Sequence, residues 1–402
     1  MRILHTSDWH LGQHFMGKTR LEEHRAFLNW LIEQVVAHQV SVVLVAGDVF
    51  DTGTPPSYAR ELYNRFIVKL QDTGALLVVL GGNHDSVAML NESRDLLGCL
   101  NVTVIPGVLN DIRQQVLTLK NREGQPAALL CAVPFIRARD VMSSEAGQSS
   151  DDKQLALQTA ISAHYHQLFA YAQQCQPEED TPLPIIATGH LTTVGASSSD
   201  SVREIYIGTL EAFPVSAFPA VDYLALGHIH RPQTVGGQEH LRYCGSPIAL
   251  SFDEVGQGKE VLLVDFEQQH LSAVTPLSVP VFQPLARLTG NLQQLKEAMQ
   301  ALAAQHTQPV WLEITVSEDD YLSDLPARVE ALAEGLPLEI LLVRRARRAN
   351  PQGLSDALGV TLSELTPYEV FERRLALEEL DEPAAQALCE LYRQLIAKEQ
   401  SS

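Results

Sequence analysis

The 402-residue sequence predicts an α/β protein built around a two-sheet β-sandwich with helices on its outer faces. In the first half, short apolar runs alternate with segments of helical periodicity, a pattern typical of layered α/β sheets. From residue 101 to residue 134 the pattern changes to short strands and turns. A long helix is predicted at residues 152–174, and the strands that follow it would build the second sheet.

The first half contains the most regular elements. Residues 2–7, 41–49 and 75–80 are predicted strands because each is a short, largely apolar run. Residues 21–38 repeat apolar side chains at helical spacing, and Pro55-Pro56-Ser57 opens a second helix. Further strands are predicted at residues 184–188, 221–226, 240–244 and 259–266.

The motifs that carry chemistry end before residue 279, which predicts three segments. Residues 1–278 form the main domain. Residues 279–349 form a small α+β unit, with the order strand, helix, strand, helix, strand. Residues 350–402 form a helical tail with 4 basic and 10 acidic residues after residue 350, a net charge of −6. A negative, amphipathic tail suits a protein partner better than DNA.

Composition bounds the class of protein. Apolar residues make up 45% of the chain and charged residues 19%, as in ordinary soluble proteins. The five cysteines are scattered, which favours free thiols in a reducing cytoplasm, and no apolar run approaches the roughly 20 residues of a membrane helix. The net charge of −20 argues against a basic DNA-binding surface, unless metal ions or a partner supply positive charge.

Five short motifs follow the predicted strands. They are Asp8-Trp9-His10, Gly47-Asp48-Val49-Phe50-Asp51, Gly82-Asn83-His84-Asp85, Gly189-His190 and Gly227-His228-Ile229-His230. Ligands of α/β sheets bind beyond the carboxyl ends of the strands, so these segments are expected to meet there. The pairs that are two residues apart would point to one face if their backbone were extended.

The ligand types in these motifs predict two adjacent metal sites. The candidate ligands are Asp8, His10, Asp48, Asn83, His190, His228 and His230. Imidazole-rich sites without thiolate suit manganese, iron or zinc better than magnesium or calcium. Asp48 can bridge two ions because a carboxylate has two oxygens. Two metals about 3.5–4 Å apart can clamp a phosphate and activate a water molecule.

Two further residues are candidates for catalysis. His84 follows the candidate ligand Asn83 and can protonate the leaving oxygen as a general acid. Asp51 lies three residues after Asp48 and is expected to orient His84.

The five motifs in this order resemble the calcineurin-like metallophosphoesterase superfamily over roughly the first 250 residues. The resemblance implies a four-layer fold. It assigns Asp8, His10, Asp48 and His230 to one metal, and Asp48, Asn83, His190 and His228 to the other. Many members have glutamate where Asp85 stands.

A narrower resemblance, carried by residues 6–12, 46–51 and 242–252, is to the DNA double-strand-break repair nucleases. It implies two Mn²⁺, a homodimer, and an SMC-like ATPase partner that forms a heterotetramer with it. It also implies ATP-dependent 3′-to-5′ duplex exonuclease and single-strand endonuclease activity, including hairpin opening, in the nucleoid-associated cytoplasm. The small unit resembles this family's DNA-capping domain, and the tail resembles its coiled-coil-binding segment. Eukaryotic relatives have histidine at position 51.

Other interpretations stay open at this point. An enzyme of the same fold acting on small molecules, such as a nucleotidase or a protein phosphatase, is the first alternative, and a non-catalytic scaffold is the second. His164 and His166 are expected on an exposed helix face, and His5 is expected to be structural. The arginines at positions 344, 345, 347 and 348 suit a solvated strand end and DNA phosphate contact equally. Tyr58 and Tyr63 favour a core or a dimer interface.

Overall fold

The computed structural model describes most of the chain before residue 347. The described residues are 1–142, 149–178, 181–199, 202, 212–317, 324–346, 388 and 392. The chain divides into two compact units, Met1–Arg344 and Arg345–Ser402. Within the second unit only Arg345, residue 346, Leu388 and Tyr392 are described. The predicted helical tail, together with Arg347 and Arg348, therefore lies outside the described residues except at two helical positions.

Seventeen strands occur among the described residues. They are β1 (Arg2–Thr6), β2 (His14–Phe15), β3 (Lys18–Thr19), β4 (Val42–Val45), β5 (Leu76–Leu80), β6 (Val102–Ile105), β7 (Val116–Lys120), β8 (Pro126–Cys131), β9 (Ile185–His190), β10 (Tyr223–Gly227), β11 (Gln233–Val235), β12 (Gln238–Tyr243), β13 (Glu260–Glu267), β14 (His270–Ser278), β15 (Leu285–Gly290), β16 (Val310–Val316) and β17 (Leu338–Arg345).

Eight α-helices connect them in the same described part. They are α1 (Leu21–Ala37), α2 (Ser57–Gln71), α3 (Val87–Glu92), α4 (Arg94–Gly98), α5 (Ala138–Val141), α6 (Ser150–Gln174), α7 (Leu292–Ala303) and α8 (Leu325–Ala333). A 3₁₀ turn at Phe252–Glu254 lies between β12 and β13. No helix within the described ranges combines the length and apolarity needed to cross a membrane.

The first sheet has the strand order β14-β13-β1-β4-β5-β6. Strands β1, β4, β5 and β6 run parallel, with Ile3 opposite Val42 and Val42 opposite Leu76. The predicted strand at residues 41–49 is too long, because β4 ends at Val45. Gly47 and Asp48 have φ values of 95° and 51°, and this left-handed backbone cannot continue a strand.

The second sheet has the order β11-β12-β10-β9-β8-β7. Its four central strands are parallel, and the edge strands β7 and β11 run antiparallel to their neighbours. The structure thus contains two mixed sheets with helices, in agreement with the predicted α/β class.

The apolar cores follow from the sheets. One cluster combines residues of the first sheet, such as Ile3 and Leu44, with residues of the second, such as Ile186 and Tyr223. A second cluster packs α1 and α2 against the first sheet. A third packs α6 against the second sheet. The centre of each sheet is therefore buried on both faces, which explains why central strands such as β4 and β10 are apolar throughout.

The predicted small unit is a three-stranded sheet in the order β15-β16-β17 with α7 and α8. The order strand, helix, strand, helix, strand is confirmed. Its core contains Leu295, Met299, Leu312, Ile314 and Val329. Asn291 caps α7 by accepting a hydrogen bond from the Gln294 amide, and Gln294 accepts one from the Asn291 amide.

Candidate metal centre

The strand ends bring all seven candidate ligands to one edge of the two sheets. Asp8 and His10 follow β1, Asp48 follows β4, and Asn83 follows β5. His190 is the last residue of β9, and the remaining two histidines follow β10. Possible ligand atoms of Asp8, His10 and His230 lie within 4.8 Å of one another, as do those of Asp48, His190 and His228.

Asp48 lies between the two groups. Its Oδ2 atom is 3.2 Å from His190 Nε2 and 3.6 Å from His10 Nε2. Its Oδ1 atom accepts a hydrogen bond of 2.9 Å from the His84 amide. The carboxylate is therefore anchored by one oxygen, while the other faces a histidine from each group, as a bridging ligand requires.

The backbone at four of the seven candidate ligands is left-handed rather than extended. The φ values are 53° at Asp8, 46° at His10, 51° at Asp48 and 92° at His228. The expectation that extended backbone aligns the paired ligands is therefore wrong, although the side chains do meet. Non-glycine residues in this region carry strain, which surrounding contacts must offset and which is common at functional sites.

Two glycines make the close packing possible. A Cβ atom at Gly82 would lie 2.1 Å from Asp48 Oδ1, and one at Gly47 would lie 2.2 Å from His190 Nδ1. Any side chain at either position would displace a candidate ligand.

The surroundings of His190 require a cation. His190 Nδ1 lies 2.9 Å from the carbonyl oxygen of Ala46, which can only accept, so this nitrogen carries the proton. His190 Nε2 then faces oxygens of Asp48 and, at 2.9 Å, of Asn83. Three electron-rich atoms face one another, and a proton or a metal ion must lie among them. Burial disfavours the imidazolium, but the Asp48 carboxylate outweighs it and raises the pKa of His190 to about 9.

The surroundings of His10 indicate a cation in the other group, formed by Asp8, His10 and His230. Its Nδ1 atom lies 3.1 Å from the Asp51 carboxylate. Its Nε2 atom is buried and lacks a hydrogen-bond partner among the described residues. A neutral histidine whose second nitrogen is held by a carboxylate is a typical metal ligand. The donor set and these nitrogens therefore fit two divalent metal ions.

His84 lies beside the two groups, and Asp51 contacts both His84 and His10. The rings of His84 and His10 are 4.6 Å apart, and possible ligand atoms of His84, His10 and Asp48 lie within 4.8 Å of one another. Asp51 does contact His84, but through its main-chain carbonyl, 2.7 Å from His84 Nδ1. Its carboxylate contacts His10 instead. The contact between Asp51 and His84 is thus made by the main chain of Asp51, and the orienting role of Asp51 stays a prediction.

Asp85 contributes to the centre in a way that the sequence motifs did not predict. This buried carboxylate accepts hydrogen bonds from the amides of Val49, Phe50 and Gly82 at 3.1, 3.0 and 2.9 Å. It ties together the loops that carry Asp48 and Asn83. Burial, together with Asp48, raises its pKa to about 6. The sequence signal for this role was the position of Asp85 at the end of the motif Gly82-Asn83-His84-Asp85.

The other residues considered in the sequence lie away from the centre. His164 is buried 3.4 Å from the Gln115 side chain, so its expected exposure is wrong, while His166 is exposed. His5 is buried against Tyr223. Arg344 pairs with Glu313 on the neighbouring strand β16 at 3.1 Å. Tyr63 is buried against Phe50.

Two family models match the sequence. Residues 1–232 match the calcineurin-like phosphoesterase family, and residues 281–379 match a domain described as the type 5 capsule protein repressor C-terminal domain. The chain is 56% identical over 393 residues to the SbcD component of the nuclease SbcCD of Escherichia coli strain K12, covering 98% of this chain and 97% of that protein. The SbcD component from Rhodobacter capsulatus is 34% identical over 390 residues, with 92% and 93% covered. A solved β-glucosidase from Exiguobacterium marinum aligns at 9% identity over 80% and 78% of the chains, with a TM-score of 0.19, too low to inform the fold.

Proposed function

Since this chain belongs to the calcineurin-like phosphoesterase family and to its branch of SbcD nucleases, we propose that it hydrolyses DNA phosphodiesters with two Mn²⁺ ions. The observation that carries the proposal is the position of Asp48 Oδ2 between His10 Nε2 and His190 Nε2. One carboxylate oxygen facing two histidines of separate groups suits a pair of cations better than one cation.

The proposed ligands fall into two sets that share Asp48. Asp8, His10 and His230 complete one set, and Asn83, His190 and His228 complete the other. When bound, the two ions supply the positive charge that activates water and offsets the charge of the phosphate. Imidazole nitrogen and carboxylate oxygen suit Mn²⁺, and other divalent transition metals fit the same set.

His84 is the proposed general acid. The Asp51 carbonyl accepts from Nδ1, which fixes the ring, and Nε2 is the proposed atom that delivers a proton to the leaving sugar oxygen. The Asp51 carboxylate positions His10. These two contacts hold a proton donor and a candidate ligand next to each other.

The assembly is also part of the proposal. We assign residues 1–278 to the four-layer nuclease domain, 279–349 to a DNA-capping domain, and 350–402 to a tail that binds the coiled coil of the SMC-like ATPase SbcC. The acidic character of the tail supports a protein partner. With SbcC the chain would form an ATP-dependent heterotetramer in the nucleoid-associated cytoplasm, acting as 3′-to-5′ duplex exonuclease and single-strand endonuclease that opens hairpins.

A homodimer is supported by exposed apolar side chains near α2. Val68 on α2 is 61% exposed and Leu96 on α4 is 67% exposed. A cavity of about 660 Å³ opens between these helices and is lined by Tyr63, Val68 and Leu97 among others. A depression with both apolar and charged lining residues, next to exposed apolar side chains, fits burial against a second copy.

The test is a purification from cells followed by nuclease assays. We expect an SMC-like ATPase to co-elute, and we expect Mn²⁺-dependent degradation of linear plasmid that increases with ATP. A small phosphate monoester serves as the competing substrate. Strong turnover of the monoester without DNA cleavage would instead support the small-molecule phosphoesterase, and a protein that binds no Mn²⁺ would support the scaffold.

The tail has its own test. Deleting residues 354–402 should abolish co-elution of the ATPase and leave Mn²⁺ binding unchanged. Normal ATPase binding by the shortened chain would show that the partner contacts another surface.

A further inference from the structure

The surroundings of His230 contain a buried ion pair that neither the motifs nor the proposed ligand set includes. Glu254 Oε1 lies 3.3 Å from His230 Nδ1, and Lys259 Nζ donates to Glu254 Oε2 at 2.6 Å. The Glu254 side chain is fully buried and that of Lys259 is 8% exposed. From this geometry we propose that Glu254 and Lys259 are positioning residues that set the metal affinity of the Asp8, His10 and His230 group.

Glu254 determines which nitrogen of the His230 ring carries the proton. A carboxylate at Nδ1 keeps the proton of a neutral imidazole on that nitrogen, so the lone pair is on Nε2. Such a carboxylate also makes the imidazole a stronger electron donor to a metal. His10 is held in the same way by Asp51. Two histidines of one group therefore each have a carboxylate behind them.

Lys259 holds the main chain at His230. Its Nζ atom donates to the His230 carbonyl oxygen at 3.0 Å and to Ser246 Oγ at 2.9 Å. Glu254 and Lys259 thus hold both the ring and the backbone of the same residue. The pair fixes the direction in which His230 presents its second nitrogen.

Glu254 is itself held rigidly. It ends the 3₁₀ turn Phe252–Glu254, and its Oε2 atom also accepts from the Leu250 amide at 3.0 Å. Ser199 Oγ donates to Oε1 at 2.9 Å. Together with Lys259 Nζ, which donates to Oε2 at 2.6 Å, these contacts fix the carboxylate in place.

A merely structural role does not account for this ion pair. Removing two ions from water is costly, and apolar residues of similar size often replace a buried ion pair without loss of stability. Glu254 contacts the ring of His230 and Lys259 contacts its backbone. Apolar side chains cannot make these hydrogen bonds, so positioning of His230 explains why the ion pair is present.

The inference rests on the proposed function, and the test separates the two. Mn²⁺ is titrated into the full-length protein, with affinities from calorimetry and the state of the metals from electron paramagnetic resonance. Unchanged protein should bind two ions and give the signal of a spin-coupled pair. If it binds none, the proposed function fails, whatever Glu254 does.

Glu254→Gln should weaken one of the two Mn²⁺ sites by about 10- to 100-fold and leave the other unchanged. The spin-coupled signal should give way to that of an isolated ion at intermediate Mn²⁺ concentration. Two sites of normal affinity in this variant would overturn the inference and leave the proposed function standing.

Two further variants control for folding. The double variant Glu254→Met with Lys259→Met removes both charges, so no unpaired ion is buried, and it should fold yet still lose the tight site. Glu313→Gln makes the same chemical change at a buried glutamate on β16 that pairs with Arg287 and Arg344. It should bind both ions normally. A double variant that is folded and binds both ions with normal affinity would also overturn the inference.

Discussion

The metal centre and the three-stranded unit at residues 285–345 are built on opposite principles. Four of the seven candidate ligands have positive φ angles, and the centre gathers buried carboxylates and imidazoles. In the three-stranded unit, no described residue other than Gly335 has a positive φ, and its core is made of aliphatic side chains with one methionine. One region concentrates strain and buried polar groups, and the other concentrates apolar packing.

The difference shows which interactions hold each region in its conformation. Backbone strain and buried charge persist only when surrounding contacts determine the conformation more strongly than local preference does. At the centre, the hydrogen bonds of Asp85 and Glu254 and the packing around Gly82 supply those contacts. In the three-stranded unit two arginines pair with the buried Glu313, and elsewhere local propensity and burial agree.

The largest expected effect is at the centre. His84→Gln should reduce DNA cleavage by about 10²- to 10⁴-fold, because it removes the proposed general acid. Binding of both Mn²⁺ ions and thermal stability should be unchanged, since the candidate ligands remain. Cleavage kinetics and metal titration measure the two effects. His166→Gln is the same change on an exposed face of α6, and it should leave DNA cleavage and Mn²⁺ binding unchanged. Full cleavage by the His84 variant would remove this residue from the mechanism.

The reverse result is expected in the three-stranded unit. Leu312 is fully buried on β16, and Leu312→Ala should destabilise the protein by roughly 2–5 kcal/mol through lost burial and a residual cavity. Mn²⁺ affinity should stay at its normal value. Chemical denaturation monitored by circular dichroism gives the free energy of unfolding. Leu155→Ala, at a 63% exposed position on α6, should change it by no more than about 0.5 kcal/mol. A weakened metal centre in the Leu312 variant would mean that the two regions depend on each other.

The smallest effect is expected where the three-stranded unit meets the main domain. Lys18 on the hairpin β2–β3 pairs with Glu339 on β17 at 2.5 Å, and both side chains are more than one-third exposed. Lys18→Ala should lower stability by no more than about 1 kcal/mol, because solvent and salt screen such a pair. A double-mutant cycle with Glu339→Ala isolates the interaction. A coupling well above that value would make this ion pair, rather than the stacking of Phe15 on Trp311, the main contact.

The sequence predicted most of the fold because its elements have clear periodicity. The helix predicted at residues 21–38 is Leu21–Ala37 in the structure, which ends one residue earlier. The short helices α3 and α4 were missed, since helices of 6 and 5 residues carry too few turns for a periodic signal. The hairpin β2–β3 was missed for the same reason, with two residues in each strand.

The sequence by itself indicated which candidate ligands meet in space, because residue types that bind metals stand at the ends of apolar strands. It did not determine how they reach one another. That depends on left-handed backbone at Asp8 and Asp48, and on which atom of Asp51 meets His84. The buried partners Glu254 and Lys259 follow no ligand motif, and only the packing of a distant turn against His230 identifies them. The residue types indicate which side chains can be ligands, whereas contacts between segments far apart in the chain determine how those side chains are positioned.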